Sequence, residues 1–255
     1  MEGFIKFVGT GGARIVVAKQ IRSTAGVWLN YKSTNLYIDP GPGALVRLHN
    51  LRDGFDPGRL DGILLTHKHL DHANDVNVMI EAMTQGGFKK RGVLFCPKDA
   101  VGEDGVVLRS VQAYLEDLHL LCTDGRYRLK DMEFTVPVRH AHPVESYGLI
   151  FHLNKRIGFI TDTRFWDGLP GFYDGVNILV VNVLRAKPIA PEESIDHLSL
   201  DDFKTIVTAV RPEVAVMTHF GMNLIKGKPY LLARKLKEET GVEVVAAYDG
   251  MSLPF

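Results

Sequence analysis

Four potential metal ligands, His67, His69, Asp71 and His72, fall within six residues where the run DGILL gives way to THKHLDH. DGILLT (61–66) is apolar until it stops abruptly in polar residues, as a buried strand does at its end. Side chains on an extended segment alternate, so residues 67 and 69 leave it on the same side. Val76, Met79, Ile80 and Met83 then recur at helical spacing within Asp71–Gln85, which puts Asp71 and His72 at the turn into a helix. The change of backbone direction lets all four side chains converge, and one short segment can serve two neighbouring cations. Neutral imidazole with carboxylate suits zinc, manganese or iron. A merely His-rich solvated loop is disfavoured, because three of the chain's ten histidines are packed here beside an aspartate.

The rest of the chain has to build a scaffold for that segment. Short runs with strand-like alternation, GFIKFV, ARIVVA, AGVWLNY and NLYID, fill the first forty residues between Gly-rich turns. VLFCP (93–97) reads as a further strand, and 98–130 is mixed. MEFTVPV, YGLIFHL, RIGFITD and NILVVNV read as strands in the second half. Ser199 with Asp202 three residues on is a capping box for a helix whose apolar face is Leu200, Phe203, Ile206, Val207 and Val210, stopped by Pro212. EVAVMTH, a helix over Pro229–Thr240, VEVVAAY and MSLPF complete the pattern. Each half is strands first, then strand–helix alternation, which points to two packed sheets with helices outside. No linker-like stretch interrupts residues 1–255, so a single domain is expected.

Thirty basic and thirty acidic residues cancel, so no global field draws nucleic acid or an anionic membrane. Apolar and charged contents of 45% and 24% are those of an ordinary soluble protein. No apolar run approaches a membrane span, and the N-terminal residues lack the pattern of a signal peptide. Cys96 and Cys122 lie in apolar runs with no CxxC pairing, where reduced, buried thiols are expected. A cytoplasmic location with no membrane partner follows as the expectation.

A second histidine pair, His140 and His142, stands in VRHAHPVESYG. Strand alternation sets both on one side and cannot separate them. Pro143 cannot continue a ladder, so His142 stands at a strand's end.

The HxHxDH pattern resembles the signature of the metallo-β-lactamase superfamily, and further elements of that family follow in its order. YIDPGPG (37–43) is similar to the strand whose aspartate, here Asp39, buttresses the metal histidines. FITDT (159–163) resembles the motif of the bridging aspartate, here Asp162. VMTHFG (216–221) resembles the strand that ends in the last histidine, here His219. In the ribonuclease Z-like, phosphodiesterase branch the third histidine is followed five residues on by an aromatic and then glycine. His142 meets this with Tyr147 and Gly148, whereas His140 does not.

The resemblance implies an α/β fold, a four-layer αββα sandwich of two mixed sheets flanked by helices. It implies two divalent metal ions, zinc first, with manganese or iron as alternatives. One would be held by His67, His69 and His142, the other by Asp71, His72 and His219, with Asp162 bridging. Two cations would lower the pKa of a shared water, and Asp71 would act at that catalytic centre. His197, in DHLSLDD, is similar to a histidine that contacts the scissile phosphate and helps the leaving oxygen depart. His140 has only a candidacy for orienting a ligand from behind.

The function so implied is metal-dependent hydrolysis of a phosphodiester, in a nucleotide, a cyclic phosphate or an RNA end. RNA is the less favoured partner, because ribonuclease Z carries a Gly/Pro-rich arm and only a short segment separates His142 from Asp162. Acyl hydrolysis of a lactone, thioester or β-lactam on the same metals is the alternative. A diiron redox protein is disfavoured by His69, where that branch carries glutamate, and a non-catalytic module by the complete ligand set.

Other features carry less. GTGGA (9–13) lacks the GK[ST] ending of a phosphate loop and precedes no helical pattern, so it reads as a turn between strands. Phe165, Trp166, Phe172 and Tyr173 are candidates for a substrate pocket or for core. Lys89-Lys90-Arg91 reads as a solvated turn. A homodimer is expected from relatives, with the Met/Phe-bearing segment 79–95 as candidate interface.

Overall fold

The computed structural model describes residues 2–51, 54–188 and 196–255. The described residues form fourteen strands, divided equally between two sheets. The first sheet contains β1 (Gly3–Phe7), β2 (Val27–Tyr31), β3 (Thr34–Ile38), β4 (Gly62–Leu64), β5 (Val93–Cys96), β6 (Asp117–Leu120) and the last strand, β14 (Met251–Pro254), in the order β14-β1-β2-β3-β4-β5-β6. The second contains β7 (Arg126–Leu129), β8 (Met132–Thr135), β9 (Leu149–His152), β10 (Arg156–Ile160), β11 (Ile178–Asn182), β12 (Val214–Thr218) and β13 (Glu243–Ala246), in the reverse of chain order.

Both sheets are mixed in the same way. The pairings β14–β1, β1–β2 and β2–β3 are antiparallel, and β3 to β6 run parallel. In the second sheet β7 to β10 pair antiparallel and β10 to β13 run parallel. The helices of the described residues lie in the crossovers that parallel strands need, except the first, which joins the antiparallel β1 and β2. They are α1 (Ala13–Lys19), α2 (Ala44–Asn50), α3 (Leu70–Ala73), α4 (Val76–Met83), α5 (Arg109–Gln112), α6 (Leu200–Val210), α7 (Met222–Lys226) and α8 (Pro229–Thr240).

Three apolar cores hold the layers together. Ile5, Leu29, Phe134, Phe151 and Val216 belong to the cluster between the sheets. Val76, Met79, Ile80 and Met83 of α4 face the outer side of the first sheet with Leu94 and Tyr37. Phe203, Ile206, Val207 and Val210 of α6 cover the outer side of the second with Leu179 and Val181. The expected four-layer αββα sandwich is therefore the observed one, and α6 begins with the expected capping box, in which Ser199 and Asp202 exchange hydrogen bonds.

Three expectations fail. ARIVVA is helix α1, not a strand, and GTGGA therefore leads from a strand into a helix. β1 already has β2 and β14 as neighbours, so residues 13–18 cannot pair with it. Tertiary placement overrides the strand preference of Ile and Val, and only Val16 of α1 is buried. The helical spacing over Asp71–Gln85 is realised as two pieces, α3 and α4, separated at Asn74 and Asp75. Cys96 is buried, but Cys122 is exposed, because it leaves the sheet at the turn between β6 and β7. Burial pushes the Cys96 thiol up to about 12.

Arg91 of the basic run is an architectural residue. Its guanidinium donates to the carbonyls of Gly58 and Leu60, at 2.5 and 2.8 Å, and lies 3.8 Å from Asp61. No helix among the described residues is long and apolar enough to cross a membrane.

Candidate metal centre

The parallel halves of the two sheets end side by side, and the polar cluster sits at that edge. Asp39 follows β3, His67 and His69 follow β4, Asp162 follows β10, Asn182 ends β11 and His219 follows β12. Ligand sites in α/β folds gather at such carboxyl ends of strands. His142 comes from the loop before β9, after the isolated bridge between Arg139 and Tyr147.

Asp39 organises the first loop. Its carboxylate accepts from the Thr66 amide at 2.7 Å and the Thr66 hydroxyl at 2.6 Å, and it pairs with His72 Nδ1 at 2.9 Å. That contact orients the His72 ring so that Nε2 faces the centre. His69 caps α3 in extended conformation, so Asp71 falls in the first helical turn and turns toward the same point. Asp71 Oδ2 also accepts from the Ala13 amide at 3.0 Å.

The described residues offer groups that could hold a metal ion, two of them without Asp39. His67, His69 and His142 form one, and Asp71, His72, Asp162 and His219 the other; within each, one donor atom per residue lies within 4.8 Å of the rest. His142 Nε2 is 3.0 Å from His69 Nδ1, and His72 Nε2 is 3.0 Å from His219 Nε2. Asp162 Oδ2 reaches both groups, 3.7 Å from His67 Nε2 and 3.3 Å from His72 Nε2. Its other oxygen accepts from Asn182 Nδ2 at 2.8 Å. His67 Nε2 and Asp162 Oδ2 are buried without a hydrogen-bond partner among the described residues. Buried polar atoms are seldom left so; inward-facing lone pairs of this kind fit divalent cations with a preference for nitrogen and oxygen.

The charges are strongly coupled. Burial lowers the proton affinity of His67, and the neighbouring His72 lowers it further. For His72 burial acts the same way, but Asp162 and Asp71 outweigh it and hold its pKa well above the usual value. Burial raises the pKa of Asp162, yet His219, His197 and His72 together hold it well below the ordinary carboxylate range. Carboxylates and imidazoles thus surround one point, a donor set that could hold a cation.

His197 lies over this cluster with Nδ1 3.4 Å from Asp162 Oδ2 and its ring stacked on His219. Burial pushes its pKa down to about 4, against the opposing pull of Asp162. His140 points elsewhere. Its Nδ1 meets the Thr161 hydroxyl at 3.0 Å and its Nε2 the Tyr173 hydroxyl at 3.1 Å. It is buried and pushed down to about 3 by desolvation, so it is a neutral tie between Thr161, one residue before Asp162, and the outer layer. Tyr173 is therefore core, and Phe165 and Trp166 pack on that same core.

Sequence reasoning missed the residues behind the cluster. Asn182 had a legible signal, a lone amide at the end of the apolar run ILVVN. Gly12 and Ala13 had a weaker one, the glycine turn. A Cβ on Gly12 would lie 2.2 Å from His219 Nδ1, so only glycine lets the turn lie against that ring.

Known proteins share this chain's fold and sequence pattern. The Beta-lactamase superfamily domain matches residues 34–220. The uncharacterized protein MJ1374 of Methanocaldococcus jannaschii is 32% identical over 98% of this chain and 94% of its own length. Among solved structures, the metallo-β-lactamase fold protein YhfI from Bacillus subtilis superposes with a TM-score of 0.80 at 17% identity, covering 98% of both chains. A diphosphatase from the PhnP family gives 0.76 at 20% identity, covering 99% of this chain and 98% of its own. Human tRNase Z, short form, gives 0.71 at 16% identity and 98% of both. With the strand order, the HxHxDH loop and the extent of these matches in agreement, the chain belongs to the β-lactamase superfamily and has the metallo-β-lactamase fold.

Proposed function

We propose that this protein is a metal-dependent hydrolase acting on a small phosphodiester, such as a nucleotide or cyclic phosphate. The observation that carries the reading is His197, a titratable side chain 3.4 Å from Asp162 that the two ligand groups do not need. His67, His69 and His142 would hold one divalent ion and Asp71, His72 and His219 the other, with Asp162 shared; zinc suits the donors best. When bound, such a pair supplies an activated water and stabilises negative charge on the substrate's oxygens.

The chain's own residues then divide the remaining work. Asp39 and Asn182 keep His72 and Asp162 aimed at the centre. Asp71, held by the Ala13 amide, adds a negative charge on the side of His219. His197 would contact the scissile phosphate, whose charge raises the imidazole's proton affinity just as Asp162 does, and would pass its proton to the leaving oxygen. The diphosphatase and tRNase Z among the structural neighbours support phosphoester chemistry. A small substrate is favoured over tRNA, since the net charge is zero and the segment between His142 and Asp162 is short.

Turnover of bis-p-nitrophenyl phosphate and cyclic nucleotides, set beside lactones and β-lactams under several metals, is the direct test. Faster acyl than phosphoryl turnover would replace this reading with acyl hydrolysis. His197→Ala should keep its metals and lose about 10²–10⁴-fold in phosphodiester turnover; a metal-replete variant of undiminished rate removes the role.

A further inference from the structure

His142 and His197 come from distant parts of the chain, and one residue touches both. Asp196 immediately precedes His197, and its carbonyl accepts from His142 Nδ1 at 3.1 Å. That bond fixes the tautomer of His142 and leaves Nε2 facing His69. The carboxylate of the same Asp196 accepts from Arg164 Nε at 2.8 Å. Arg164 is anchored in turn, since its amide donates to the Ala141 carbonyl at 2.9 Å, while the Ala141 amide donates to the Thr163 hydroxyl at 3.0 Å. The segment carrying His142, the segment following Asp162 and the segment carrying His197 are therefore tied at a single ion pair.

We propose that Arg164 and Asp196 are positioning residues that set two groups together: His142 as a ligand, through the Asp196 carbonyl, and His197 as the proton donor, through its adjacent backbone. The partial burial of Asp196, whose side chain is 17% exposed against 47% for Arg164, gives the pair a fixed geometry that a solvated surface pair lacks. The inference rests on the phosphodiester reading for its His197 half only. The His142 half depends on the ligand set alone.

The test uses the full chain carrying Arg164→Ala, Asp196→Ala and Arg164→Lys, with zinc affinity and kinetics measured on each. Loss of a group that orients a ligating histidine weakens metal binding by about 10–100-fold, so both alanine variants should bind zinc at least tenfold more weakly in competition with a chromophoric chelator. Arg164→Lys, which keeps the charge, should recover part of that loss. On aryl phosphodiesters of graded leaving-group pKa, measured at saturating zinc, the drop in kcat should grow as the leaving phenol becomes more basic, and KM should change little. Combined with His197→Ala, Arg164→Ala should add no further leaving-group sensitivity. Zinc affinity within twofold of the parent in both alanine variants overturns the proposal, and so does a kcat loss equal for every leaving group. If the unmodified protein turns over no phosphodiester, it is the phosphodiester reading that fails, and the zinc titration then decides the His142 half.

Discussion

At Gly12 the absence of a side chain is what lets the N-terminal turn lie against the His219 ring and present the Ala13 amide to Asp71. Gly12→Ala should therefore shift His219 and lower bound metal, measured by elemental analysis, while far-UV circular dichroism stays unchanged. The two cysteines offer a contrast. Cys122 is exposed and should alkylate readily in the native protein, whereas Cys96, buried and with its thiol pushed up to about 12, should react only on unfolding. Mass spectrometry of iodoacetamide-treated protein with and without urea measures both; equal native labelling would contradict the burial. Four candidate ligands were readable because HxHxDH packs them into one loop, whereas Asp162 and His219 were read from the resemblance of FITDT and VMTHFG to family motifs. His140 and His142 were not separable by alternation. Their difference lies in partners brought from elsewhere, Thr161 and Tyr173 for one and Asp196 for the other. Asn182 and Gly12 act by contact across the fold, so the strand-end amide and the glycine turn mark their positions without naming the partners they meet.

Elements were legible where periodicity and punctuation agreed. Helix α6 carries a capping box, an apolar face at i, i+3, i+4 spacing and a stop before Pro212, and it spans Leu200–Val210 as these signals require. Ser199→Ala removes the hydroxyl that accepts from the Asp202 amide and should cost about 1 kcal/mol, read from the urea midpoint at unchanged m. ARIVVA was misread for a physical reason: β-branched residues suit a strand, but β1 already has a partner on each edge. The competition for sheet positions is a property of the whole fold. The break between α3 and α4 has a similar origin, because the Asp75 amide donates to the Pro40 carbonyl and its carboxylate accepts from the Leu45 amide. Those bonds tie the junction to the glycine turn after β3, and the helix restarts in a new direction.

Across the whole molecule the four layers were foreseeable from strand–helix alternation, yet the pairing order was not, since β14 crosses to join β1 only after every other strand is placed. The core between the sheets is dominated by large side chains, and Phe134→Ala, buried there against Phe95, Tyr127 and Phe151, should cost about 3–5 kcal/mol. Cation binding should be visible at the same scale. Zinc should raise the melting temperature and a chelator should lower it, by linkage to the folded state; insensitivity to both would remove the metal centre. The candidate ligands are contributed unequally by the halves: the HxHxDH loop belongs to the first sheet, and His142, Asp162 and His219 to the second. A cation shared between them is thus also a suture across the open edge of the sandwich. Stripping it should loosen that edge while the far edge stays shut, so amide exchange after chelation should quicken first in the loops after β4, β10 and β12.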